Sequence, residues 1–99
     1  MKLVELITAV KEQNLSKDQL EAYRDQLSNL FAEMQIELSN LEKNEALFMG
    51  KKLENQSVAE MKVWWKTTPE GQRIIELKRY CLATKEMLNS LKSRLYSIY

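Results

Sequence analysis

The 99-residue sequence contains no histidine, one cysteine, one proline and two glycines. Without histidine it lacks the commonest general base and the commonest metal ligand. Cys81 stands alone on the apolar seam of the last predicted helix. With no base to accompany it, it reads as a small buried hydrophobe in a reducing cytoplasm, not as a nucleophile. So few glycines and prolines leave almost no turn signals, which disfavours strands and makes long helices the default. Apolar runs of membrane-spanning length are missing too. The opening MKLVELITAVKEQ is broken by Glu5 and has no small-residue cleavage site, so it makes a poor secretion signal. Carboxylates are plentiful, yet they scatter along helix faces with no loop to gather them. The chemistry left open is binding or assembly, without catalysis, cofactor or metal.

What is present is charge, unevenly distributed. Residues 1–50 carry five basic and nine acidic side chains, a net −4, while residues 51–99 carry ten and five, a net +5. The total of +1 therefore conceals two halves of opposite sign, which bears on partners, internal or external. Charged residues at 29% beside 44% hydrophobics fit a soluble amphipathic helical chain rather than a disordered one. The length allows one domain, and a small one to bury a core alone.

The spacing predicts four helices. Leu3, Leu6, Ile7 and Val10 share one face of a short helix over 2–13, followed by a turn at 14–16. Ser16 and Gln19 form a capping box, with Asp18 at the positive end of the dipole, and open a long helix over 17–49. Its stripe of Leu20, Leu27, Met34, Leu41 and Phe48 is widened by Tyr23, Leu30, Phe31 and Leu38. At about 1.5 Å per residue this helix is roughly 50 Å long and needs a long partner. Gly50 with Lys51 and Lys52 is the expected stop, the glycine supplying a left-handed cap. Residues 53–56 read as polar and irregular. Ser57 and Glu60 form a second capping box for a short helix over 58–66. Thr68 as N-cap, Pro69 at the first position and Glu70 in the first turn open a last helix over 69–96. There Ile74, Cys81, Leu88 and Leu95 form one seam line, and Leu77, Thr84, Leu91 and Ile98 the other, with Thr84 the polar exception. The expected fold is all-α: a long antiparallel coiled-coil-like helical hairpin with short flanking helices. It is expected to be oligomeric, because two helices cannot cover both stripes.

Lys78, Lys85 and Lys92 recur every seven residues beside that seam, with Arg73, Arg79 and Arg94 nearby. Such a row has two uses. It can pair with acids of the second helix, where Asp25, Glu33, Glu37, Glu42 and Glu45 are available, or face outward or into a ring and hold a polyanion. Trp64-Trp65-Lys66 is the second feature. Consecutive helical residues point about 100° apart, so both indoles cannot enter one core. One is expected to pack with Val58 and Met61. The other is left at a rim beside Lys66 and Arg73, suited to a protein interface or to stacking on single-stranded bases. Tyr96, Ile98 and Tyr99 staple onto the second helix or make a subunit contact, and the five methionines, forming no patch, fill gaps.

The second half carries Lys51-Lys52, then Ser57-Val58-Ala59-Glu60, then Thr68-Pro69-Glu70-Gly71, and ends in a basic helix with Leu88-Asn89-Ser90-Leu91-Lys92-Ser93-Arg94-Leu95. This order resembles the UvsY-like recombination mediators, a family of small helical-hairpin phage proteins, over about residues 41–99. The resemblance implies a ring-like oligomer in the cytoplasm of a phage-infected bacterium. It would bind single-stranded DNA and help a recombinase displace single-strand-binding protein. By position, Lys92 and Arg94 match the family's basic late-helix segment. The tandem Trp and the short acidic first helix depart from the family pattern. Two other readings stand beside this one. The chain could be a phage inhibitor of a host defence protein (anti-CRISPR-like), its acidic half mimicking nucleic acid or its Trp pair anchoring in a pocket, or it could be a structural coiled-coil subunit.

Overall fold

A computed structural model describes residues 2–12, 14–51 and 56–98. All regular structure among them is helical: α1 (Leu3–Val10), α2 (Lys17–Gly50), α3 (Val58–Thr67) and α4 (Pro69–Ile98). The four expected helices are present. α1 ends earlier than expected, at Val10, and the predicted end of that helix at Gln13 lies outside the described residues. So do Lys52, the irregular stretch at 53–55, the Ile98 side chain and Tyr99.

Both capping boxes form. Ser16 Oγ accepts from Gln19 N–H at 3.2 Å while Gln19 Oε1 accepts from Ser16 N–H at 2.9 Å. Ser57 and Glu60 repeat the exchange at 3.1 and 3.4 Å. The expected left-handed glycine cap does not form. No described glycine has positive φ, and α2 instead ends by tightening, with Lys51 N–H donating to Phe48 O at 3.1 Å.

The two long helices run antiparallel. Glu37 of α2 meets Arg73 of α4 and Asn44 meets Glu70, so numbers rise on one helix as they fall on the other. The molecule measures 60 × 21 × 17 Å. The short helices cover opposite ends of this rod. At one end Leu6 and Val10 of α1 close a core with Leu20 and Leu27 of α2 and Leu91 and Leu95 of α4. At the other, Met61 and Trp65 of α3 are buried, with the Trp65 ring 5.3 Å from Phe48 of α2. Between these ends the rod is only two helices thick. Leu20 and Leu27 are the only buried residues described for α2, and Met34, Leu41 and Phe48 of its stripe are half-buried. On α4, Thr84 is fully buried and satisfies its hydroxyl by donating to Tyr80 O at 2.7 Å.

Two contacts fix the short helices. Arg94 donates from Nη1 to Val10 O and from Nη2 to Glu12 O at 2.7 Å, so its charge sits at the negative end of α1. At the α3–α4 elbow, Thr68 Oγ1 accepts from Gly71 N–H at 3.0 Å and donates to Trp65 O at 2.6 Å. The backbones approach so closely there that a Cβ on Gly71 would stand 1.9 Å from Trp65 O.

Candidate nucleic-acid interface

Two heptad lines on α4 divide the basic residues between its flanks. Gly71, Lys78, Lys85 and Lys92 lie on one flank of the seam, and Arg73, Tyr80, Met87 and Arg94 on the other. The second line faces α1. Arg94 caps that helix, and the groove beyond it is lined by Val4, Leu30, Glu33, Met34, Glu37, Arg73 and Tyr80. Arg73 holds Glu37 with two bonds, at 3.0 and 2.9 Å, and Glu76 at 2.8 Å. Hydrogen bonding to Glu37 keeps the guanidinium pKa above its ordinary value, although burial opposes it. The first line starts under α3 at Gly71 and then emerges into solvent.

That division leaves the lysine row outside the ion pairs of the helical hairpin. Lys78, Lys85 and Lys92 are all exposed, and among the described residues no carboxylate lies within ion-pair distance of any of them. The expected pairing with acids of α2 is absent for a geometric reason. Glu33 and Glu37 project to the α1 flank, opposite the lysines. Only Lys78 shares a shallow depression with Glu42 and Glu45. Lys92 faces Arg24 and Ser28, and its ammonium lies 6.0 Å from the Tyr96 ring centre. Among the described residues, the groove at the Lys92 end is lined by no carboxylate.

The tryptophans divide as the 100° rule requires. Trp65 is 7% exposed and Trp64 is 59% exposed. Trp65 packs with Phe48 and leaves its Nε1–H without a hydrogen-bond partner. Val58, expected to join it, is itself exposed. Trp64 shares an outer groove of α3 with Ala59, Glu60 and Val63. Lys66, two residues on, points about 160° away from it, and Arg73 is engaged by Glu37. The indole thus stands apart from the basic residues that the sequence placed beside it. Arg79 is exposed in a depression with Gln72, Ile75, Glu76 and Tyr80, away from the lysine line.

No family model, curated protein or solved structure matches the chain. Cys81 is buried, and burial pushes its thiol pKa up, away from thiolate chemistry. No group of metal-ligating side chains is found among the described residues, and no helix there is long and apolar enough to cross a membrane. Arg24, Ser28 and Asn89 were not singled out in the sequence, because only the α2–α4 register brings them to Lys92.

Single-tryptophan variants should report the split directly. With Trp65→Phe, the remaining Trp64 should be quenched by acrylamide nearly as strongly as free indole. With Trp64→Phe, the remaining Trp65 should be several-fold better protected. The Trp65→Phe change removes a buried donor without a protein partner but also leaves the space of the lost ring, so a loss of about 1 kcal/mol is expected. Equal quenching in the two variants would contradict the packing described.

Proposed function

We propose that the chain is a non-enzymatic binding protein that holds single-stranded nucleic acid along the lysine row of α4, acting as an oligomer. The observation that carries this reading is the exposure of Lys78, Lys85 and Lys92 with no carboxylate in ion-pair range. Successive lysines stand about 10 Å apart, roughly three stacked nucleotides at about 3.4 Å each. The row is thus matched to a strand of about six or seven nucleotides lying along the helix. Met34 and Leu41, half-buried between the two ends of the rod, support self-association, since a second copy would cover them. This reading agrees with what the resemblance to UvsY-like mediators implies, a phage accessory protein of DNA recombination with a recombinase as partner.

The test is a fluorescence-anisotropy titration with a labelled single strand of about 20 nucleotides. Binding should be insensitive to sequence and should weaken with salt along a log–log slope of about −2 or steeper, at about 0.7 per lysine–phosphate contact. No affinity at low salt would reject the proposal.

The exposed Val63–Trp64 edge favours a second reading, in which α3 anchors in a pocket of a protein, whether a recombinase or a host defence protein. Capture of one stoichiometric partner that survives nuclease treatment and is lost with Trp64→Ala distinguishes it.

A further inference from the structure

The Lys92 end of the row opens into the groove that faces Arg24, with a volume of ≈ 570 Å³. We propose that this groove is a nucleotide seat, in which the base of one residue of a bound strand stacks on Tyr96 while its phosphate is held between Arg24 and Lys92. The proposal rests on reading the lysine row as a polyanion-binding face, and adds to it a discrete pocket with its own ligand chemistry.

Four features of the groove converge on that ligand. The volume falls within the range of small-molecule sites, and Leu95, buried beneath it, supplies an apolar floor. Tyr96 is 71% exposed, an aromatic face held in water, which is the form a stacking platform takes. Its ring stands with two cations, one from each long helix. Lys92 lies 6.0 Å from the ring centre, at the outer limit of a cation–π contact, so its flexible stem can turn the ammonium to a phosphate beside the ring. Arg24 offers the planar fork that fits phosphate oxygens. Its present partner is its chain neighbour Asp25 at 3.3 Å, in a pair so exposed that solvent screens it heavily. A phosphate, singly charged within a strand and doubly charged in a free monophosphate, offers that fork two oxygens and can take the place of the exposed Asp25 pair. Ser28 Oγ and the Asn89 amide complete the rim from opposite helices, and neither hydrogen-bonds to any described residue. The Asn89 amide, two turns along α4 from Tyr96 on the same groove, is free to hold a polar edge of the bound nucleotide.

The arrangement also distinguishes a nucleotide from a simple anion. Phosphate alone would use the two cations, and a nucleoside alone would use the ring and the amide. Only the joined molecule uses all of them at once.

The experiment is an NMR titration of the full chain, following the Asn89 side-chain amide and the Arg24 Nε–H. The probes are thymidine monophosphate, thymidine and inorganic phosphate. The monophosphate should shift both signals saturably and bind about tenfold or more tighter than either fragment. Tyr96→Leu, at an exposed site where folding is not at risk, should bring the monophosphate down to the level of phosphate. In parallel, Tyr96→Leu should weaken binding of the labelled single strand while leaving its salt slope unchanged, since no charge is removed. Lys78→Gln with Lys85→Gln should flatten that slope while leaving the monophosphate titration as in the parent. Equal shifts with phosphate and monophosphate, or none, would overturn the seat. So would a strand affinity indifferent to Tyr96→Leu. A strand that fails to bind while the monophosphate titrates as described would overturn the lysine-row reading and leave the seat standing.

Discussion

Gly71→Ala should destabilise the fold by about 3 kcal/mol, lowering the melting temperature by more than about 10 °C. A helix interior ordinarily gains about 1 kcal/mol from this exchange, so the expected sign is opposite to propensity. The reason is the α3–α4 elbow. The new methyl would stand 1.9 Å from Trp65 O and 2.7 Å from its carbonyl carbon, and both are backbone atoms that cannot rotate aside. To admit it, α3 must lift off, which opens the burial of Met61 and Trp65 and disturbs the Thr68 hydroxyl that ties Gly71 N–H to Trp65 O. Gly50→Ala is the matched control. Nothing lies within 4 Å of its Cβ position and its φ is not positive, so it should be neutral or stabilise by up to about 1 kcal/mol. Urea unfolding of both variants, followed by circular dichroism, checks the pair. A harmless Gly71→Ala would mean that the two helices do not meet as described.

Leu91→Ala should cost about 3 kcal/mol or more, whereas Leu41→Ala should cost less than half of that. Leu91 is fully buried where α1, α2 and α4 meet, and truncation there leaves a cavity walled by Leu6, Leu20 and Leu27. Leu41 sits where the rod is two helices thick and is only half-buried, so water fills the space a truncation leaves. The comparison also probes assembly. If copies associate over the middle of the rod, the Leu41→Ala deficit should grow as protein concentration rises, and Leu91→Ala should remain costly at every concentration.

The helices were legible in the sequence because each start carries its own local chemistry. Ser16 with Gln19, Ser57 with Glu60, and Thr68 before Pro69 are signals read within four residues. The fate of the tryptophan pair was legible as well, since the angle between consecutive residues forces one indole outward. Side-chain partners were not legible to the same degree. The flanking position of Lys78, Lys85 and Lys92 leaves open which acids lie opposite, and that depends on register and on which flank each acid of α2 takes. Glu37 falls on the flank of Arg73, and the Arg94 charge goes to the carbonyls of Val10 and Glu12, at and just past the end of α1 and more than eighty residues away. The Arg24–Lys92–Tyr96 groove was hidden for the same reason, since its residues come from opposite ends of the chain. At Gly50 the residue type suggested a left-handed cap, but the backbone closes the helix with a tighter turn and leaves the freedom of glycine unused.

The most direct test of the central claim compares the salt dependence of single-strand binding in the parent chain and in the triple variant Lys78→Gln, Lys85→Gln, Lys92→Gln. All three side chains are exposed and unpaired among the described residues, so the variant should fold with unchanged stability. If the row holds the phosphates, the variant should bind more weakly at low salt, and its log–log salt slope should be shallower by about two. A variant that binds as tightly as the parent, with the same slope, would contradict the account.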